Sequence, residues 1–166
     1  MEAFDLVRRV VVERQKESHK GSYGRVMLVG GFYPYGGAII MSALACVHSG
    51  AGLVTVATEQ DNITALHSHL PEAMAFDVVD QDLLLENIAK ADVILIGPGL
   101  GENSRASSVF ETVLSEIGPK TALVIDGSAL NLLAKRQKHT KISSEEISDG
   151  REYSLLFLCV KVEVSC

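Results

Sequence analysis

The sequence predicts an α/β domain with a mainly parallel central sheet, and three observations carry that expectation. Short, wholly apolar, β-branched runs end abruptly in glycine or aspartate, segments of helical periodicity alternate with them, and the connections are short. Runs without polar alternation suit strands covered on both faces, and the order strand, helix, strand gives right-handed crossovers. A chain of 166 residues, 47% hydrophobic with 14 glycines and no tryptophan, has room for one such domain and not for two of ordinary size.

The elements follow in order. "RVMLVGG" from Arg25 reads as the first buried strand. "GAIIMSALACVHSGAG" reads as a helix with Ile40, Ala43, Leu44 and Val47 on one face and Gly50 as its C-cap. "GLVTVAT" from Gly52 is a second strand, and "DQDLLLENIAKAD" a helix capped by Asp80 or Asp82 with Leu84, Leu85 and Ile88 on its apolar stripe. "DVILIGPG" from Asp92 and "TALVIDG" from Thr121 are further strands. Between them "SRASSVFETVLSEIG" starts a helix at Ser104, presents Val109, Val113 and Ile117, and stops at Gly118. "SALNLLAKR" opens another helix directly after Asp126, with Ser128 well suited to cap it. The last stretch, "KHTKISSEEISDGREYSLLFLCVKVEVSC", is polar at first and ends in "YSLLFLCVKVEV", one strand with no helix after it to cover it.

Composition excludes several functions. A formal net charge of −6 offers no basic surplus to neutralise phosphates, which argues against non-specific nucleic-acid binding. The start, "MEAFDLVRRVVVERQ", is interrupted by Glu2, Asp5 and later charges and lacks the pattern of a secretory leader. No apolar run approaches the length of a membrane span, so no membrane partner is expected. Cys46, Cys159 and Cys166 are odd in number and show no CxxC spacing, which makes a cytoplasmic, reducing setting the default. His67 and His69 would diverge on a helix, and Ser42 and Ser49 lack partners for a triad; no metal or catalytic residue is assigned.

In parallel sheets the ligand site lies outside the carboxyl ends of the strands, and here those ends carry "GGFYPYGGA", "GPGLGEN" and "DGSALN". "GPGLGEN" is neither GxxxxGK[ST] nor GxGxxG, so the two commonest nucleotide loops are excluded. Gly97, Gly99 and Gly101 leave a backbone free to take positive φ and to admit a ligand close to peptide N–H groups. They serve a tight, ligand-free connection equally well. In the first loop Gly36 and Gly37 would let a ring or ribose lie against the helix start, with Tyr33 and Tyr35 closing over it or else capping the core. Asp126 could bind a hydroxyl or a metal-bound water or simply satisfy loop N–H groups, and Lys20, in "KGSYGRV", reads as a solvated side chain.

The order of these pieces is more specific than any one of them. "KGSYGRVMLVGGFYPYGGAIIMSALACVHSGAGLVTVAT", then "LPEAM", "VILIGPGLGEN" and "LVIDGSALNLL", covering residues 18–136, resembles the ADP- or ATP-dependent NAD(P)H-hydrate dehydratases, the YjeF C-terminal-domain family of the ribokinase-like superfamily. The resemblance implies a three-layer α/β/α fold and a repair reaction on NADHX or NADPHX, the hydrated forms of NADH and NADPH. A nucleotide phosphorylates the added hydroxyl, phosphate leaves and the ring double bond returns, with ADP or ATP and Mg2+ as cofactors. By the same resemblance Ala38 and Gly101 line the hydrate pocket, with Gly37, Gly99, Asp126 and Asn131 as further substrate-binding positions and Lys20 in support. A homo-oligomer is compatible with it.

Two departures qualify the likeness. Many members read Asp-Ala-Asp-Ala-Leu-Asn where this chain has Asp126-Gly127-Ser128-Ala129-Leu130-Asn131, so a serine replaces an aspartate. After Arg136 nothing matches the family's Thr-Pro-His segment or the Gly-Thr-Gly-Asp helix start that holds phosphates and supplies the catalytic aspartate. The expectation is therefore the N-terminal portion of such a domain over residues 1–137, a divergent tail over 138–166, the C-terminal part of the fold missing and activity impaired. The alternatives are a non-catalytic dinucleotide-binding fragment and a related ribokinase-like small-molecule kinase.

Overall fold

The computed structural model describes residues 16–139 and 155–157. A single turn of 3-10 helix, Lys20–Tyr23, leads into a parallel sheet. Its strands are β1 (Arg25–Val29), β2 (Leu53–Thr58), β3 (Met74–Asp77), β4 (Val93–Ile96), β5 (Ala122–Ile125) and β6 (Leu155–Phe157). The spatial order is β3-β2-β1-β4-β5-β6, and every described pairing is parallel. The connecting helices are α1 (Gly36–His48), α2 (Gln60–His69), α3 (Gln81–Lys90), α4 (Ser104–Glu116) and α5 (Ser128–His139).

Register divides the core into two halves. Alternate β1 side chains face opposite ways, so Leu28 packs with Ile39 and Ala43 of α1 and Leu66 of α2, while Met27 and Val29 join Ile94, Ile96, Leu123 and Ile125 beneath α3 and α4. All of these side chains are buried. From β1 the chain winds one way through β2 to β3, then returns to the far side of β1 and winds the other way through β4, β5 and β6. Loops leaving β1 and β4 therefore diverge, and that reversal opens a crevice at the carboxyl ends of the two strands.

Helix starts follow the local chemistry. Asp80 accepts the Leu83 N–H at 3.0 Å, as one of the two anticipated caps. Asn103, one residue ahead of the expected Ser104 start, accepts the Ala106 N–H at 2.8 Å. Replacing Asn103 with alanine orphans that donor, and urea denaturation should show a loss of about 1 kcal/mol with an unchanged slope.

Several details depart from the sequence reading. Leu85 is 42% exposed: on α3 the buried stripe is Leu84 and Ile88, and Leu85 lies one step of rotation outside it. Ile117 is buried but stands just beyond the end of α4. Helix α2 and strand β3 were not anticipated. Only Leu66 of α2 is buried and β3 is a four-residue edge strand, so neither repeats an apolar pattern long enough to register. Of the expected terminal strand, Leu155–Phe157 pairs with β5, Val124 opposite Leu156, and the remainder lies outside the described residues. So do the N-terminal stretch read for a leader, Cys159 and Cys166. Among the described residues no helix is long and apolar enough to cross a membrane.

Candidate functional site

Three loops meet at the crevice between β1 and β4. The Gly31 N–H donates to the Pro98 carbonyl at 2.9 Å and the Phe32 N–H to the Gly99 carbonyl at 2.7 Å, which ties the first loop to the second. Phe32 itself is buried, so it anchors the loop from below. Thr58 and Asn62 both donate to the Gly31 carbonyl, and the Glu59 carboxylate accepts the Tyr33 N–H at 2.7 Å while pairing with Arg105 of α4 at 3.0 Å. The first loop is thus held on two sides before any ligand arrives.

The glycines of "GPGLGEN" divide by role. A Cβ on Gly97, which has φ +128°, would stand 1.7 Å from the Asp126 carbonyl oxygen, and one on Gly99 would stand 2.4 Å from the Tyr35 carbonyl oxygen. Those two let loops pack backbone against backbone. A Cβ on Gly101 would meet nothing within 4 Å. Of the three, only Gly101 presents its missing side chain to open space.

That space is a cavity of about 480 Å3 lined by Tyr35, Ala38, Gly99, Gly101, Glu102 and Ser128. Its size falls within the range of small-molecule sites. A smaller void of about 40 Å3, between the amino ends of β1 and β2 and helix α3, is large enough only for water.

The anticipated residues are placed as follows. Ala38, Gly99 and Gly101 line the cavity together. Gly37 is exposed in the first turn of α1 and is not among the lining residues. Asp126 is half-buried at the end of β5, with its N–H on the Ile96 carbonyl at 3.0 Å and its carbonyl taking the Ala129 N–H at 3.2 Å. Asn131 stands one layer back and donates to Glu102 at 2.7 Å. Tyr35 is 59% exposed on the cavity rim and Tyr33 is 87% exposed beside it, so neither caps the core. Lys20, exposed at the amino end of β1, is a strand length away from these loops.

Glu102 and Ser128 line the cavity without having been singled out for it. The signal for Glu102 was its place directly after the last glycine; that for Ser128 was the aspartate it replaces. Asn131 and the Lys135 ammonium each hold one oxygen of Glu102, and these contacts keep its carboxyl below the usual carboxylate range, the Lys135 bond contributing most. Because the folded pKa is depressed, the coupling is fully present above the ordinary glutamate pKa and is lost as pH falls through the lower folded value. Carbon-detected NMR titration should show Glu102 titrating below a model glutamate, with Lys135→Ala moving it back up.

Among the described residues no three His, Cys, Asp or Glu side chains gather as a metal site. A magnesium ion brought by a nucleotide needs no such cluster, since phosphates and water supply most of its ligands.

A parallel α/β domain whose cavity opens at the switch point, walled by backbone at glycines and bounded by a carboxylate and a tyrosine, is of the kind that takes nucleotides and dinucleotides. The comparisons narrow that class. Residues 26–159 match the model of the NAD(P)H-hydrate dehydratase family, and the chain belongs to that family. It is 63% identical over 134 residues to an ADP-dependent (S)-NAD(P)H-hydrate dehydratase of Streptococcus thermophilus, covering 81% of this chain and 48% of that protein. A ribokinase-like superfamily protein of Enterococcus faecalis superposes with a TM-score of 0.83 at 39% identity, over 94% of this chain and 52% of that one. An ADP/ATP-dependent NAD(P)H-hydrate dehydratase of Bacillus subtilis, co-crystallised with ATP/Mg2+, gives 0.62 at 28% identity, over 76% and 45%. The chain thus spans about half the length of the relatives it matches.

Proposed function

We propose that this chain binds the hydrated ring of NADHX or NADPHX in the cavity between α1 and the 97–103 loop, as part of a nucleotide-dependent dehydration. The observation that carries the reading is that Ala38 and Gly101, far apart in sequence and named together by the family likeness, share one cavity wall. With Gly101 lacking a Cβ and Ala38 carrying only one carbon, the hydrated ring can lie against backbone there, and Tyr35 stands at the rim to cover it.

ADP or ATP would supply the phosphoryl group that turns the ring hydroxyl into a leaving group, and Mg2+ would travel with its phosphates. That step needs a positioned base and an anion-binding backbone, which the family likeness assigns to Thr-Pro-His and Gly-Thr-Gly-Asp segments that do not occur among these 166 residues. The cavity residues accordingly bind, orient and shield the ring; Glu102, kept ionised by Lys135 and Asn131, can accept a hydrogen bond from a ligand hydroxyl or amide. We infer that the 166-residue chain binds the hydrate and turns it over slowly.

The test uses the purified chain with NADPHX, ADP and Mg2+. Calorimetry should detect hydrate binding, while recovery of reduced-dinucleotide absorbance stays far below that of the Streptococcus thermophilus relative. Absence of binding would overturn the site, and recovery at the relative's rate would overturn the impairment. Phosphorylated hydrate accumulating without dehydration would favour the kinase alternative.

A further inference from the structure

Ser128 touches the cavity but has both hydrogen-bonding functions turned into the protein. Its hydroxyl oxygen accepts the Gly101 N–H at 2.8 Å, and its proton points to the Gly97 carbonyl at 3.4 Å. One side chain at the first residue of α5 therefore spans the start and end of the glycine loop. Gly101 needs such a tether. It has φ +75° and no neighbour within 4 Å of its Cβ position, so nothing packs against it on that side, and a glycine can take several other backbone conformations at little cost.

A second tie runs parallel to the first. Glu102, next in sequence, is drawn toward α5 by Asn131 and Lys135. That contact is solvent-exposed and acts on the following side chain, whereas the serine acts on the Gly101 peptide itself. The two differ in a measurable way: salt weakens the charged tie and leaves the neutral one intact.

We propose that Ser128 is a positioning residue, which turns the Gly101 N–H away from the cavity and holds the Gly101 backbone as a fixed wall for the ligand. It is not a nucleophile: its oxygen holds the Gly101 N–H and its proton is directed at the Gly97 carbonyl. The proposal deepens the substrate reading above and rests on it for the identity of the ligand.

Three variants of the full chain test it. Ser128→Ala removes both bonds, Ser128→Thr keeps both, and Ser128→Asp can accept from Gly101 but, ionised, cannot donate to Gly97. Amide hydrogen exchange by NMR, without ligand, should show Gly101 exchanging about tenfold faster in Ser128→Ala, the order expected of one hydrogen bond. Leu28 and Ile94 amides in the sheet should be unchanged, Ser128→Thr should restore protection, and the result should persist at high salt. Calorimetry with NADPHX should then show Ser128→Ala binding about tenfold more weakly and Ser128→Thr binding like the parent. Unchanged Gly101 exchange in the alanine variant, no rescue by threonine, or unchanged hydrate affinity would each overturn the proposal. A parent chain that binds no hydrate overturns the substrate reading instead, and the exchange experiment still decides the role of Ser128.

Discussion

Replacing Gly97 with alanine should cost roughly 3–5 kcal/mol of folding stability, combining the strain of a non-glycine residue at positive φ with the displacement of packed backbone. The added Cβ would stand 1.7 Å from the Asp126 carbonyl oxygen, at φ +128°. Neither side can yield cheaply, because the Gly97 N–H is bonded to the Val29 carbonyl and the Asp126 N–H to that of Ile96. Set against a total of about 5–15 kcal/mol for an ordinary domain, the loss is a large fraction. Gly37→Ala is the matched control: its Cβ meets nothing within 4 Å, and a helical glycine replaced by alanine should gain about 0.5 kcal/mol. Urea denaturation of the two variants measures both, and a Gly97→Ala protein as stable as its parent would show that the loops at β4 and β5 do not pack as described.

Gly101→Leu should separate binding from folding. Its backbone sits at φ +75°, where a side chain costs about 1–2 kcal/mol in strain, but the space around the new Cβ is open. The protein should therefore fold with a modest loss while the leucine side chain occupies the cavity. NADPHX affinity should fall about 100-fold, equivalent to roughly 2.7 kcal/mol, and Gly101→Ala should give an intermediate loss. Calorimetry beside a melting curve distinguishes the two effects. A Gly101→Leu protein that melts a few degrees lower and binds the hydrate unchanged would place the ligand elsewhere.

These two glycines look alike in the sequence and differ in the fold. "GPGLG" signals a backbone that needs freedom, and the signal is the same whether a carbonyl or a ligand fills the missing Cβ position. The neighbours decide, and they come from elsewhere in the chain: Asp126 for Gly97, Tyr35 for Gly99, nothing for Gly101. Asn131 illustrates the same limit. Its position in "SALNLL" marks it for the substrate, and the structure adds that its amide donates to Glu102, a partner on a different loop.

The fold was more legible than the site. Strands β1, β2, β4 and β5 start within a residue of their expected positions, because an unbroken apolar run needs cover on both faces and the flanking helices supply it. Helix α2 and strand β3 leave little trace in the sequence because their periodic burial is slight: the helix buries one leucine and the strand is short and at the edge.

By itself, then, the sequence determined the alternating architecture and the placing of three glycine-bearing loops at the carboxyl ends of strands, since burial period and breaker residues are local properties. Tertiary structure alone decided the reversal of strand order at β1 and β4, the opening of the cavity there, and the tether from Ser128 to Gly101. Each of these depends on which distant backbone or side chain comes to lie within bonding distance, and no local pattern of residues contains that information.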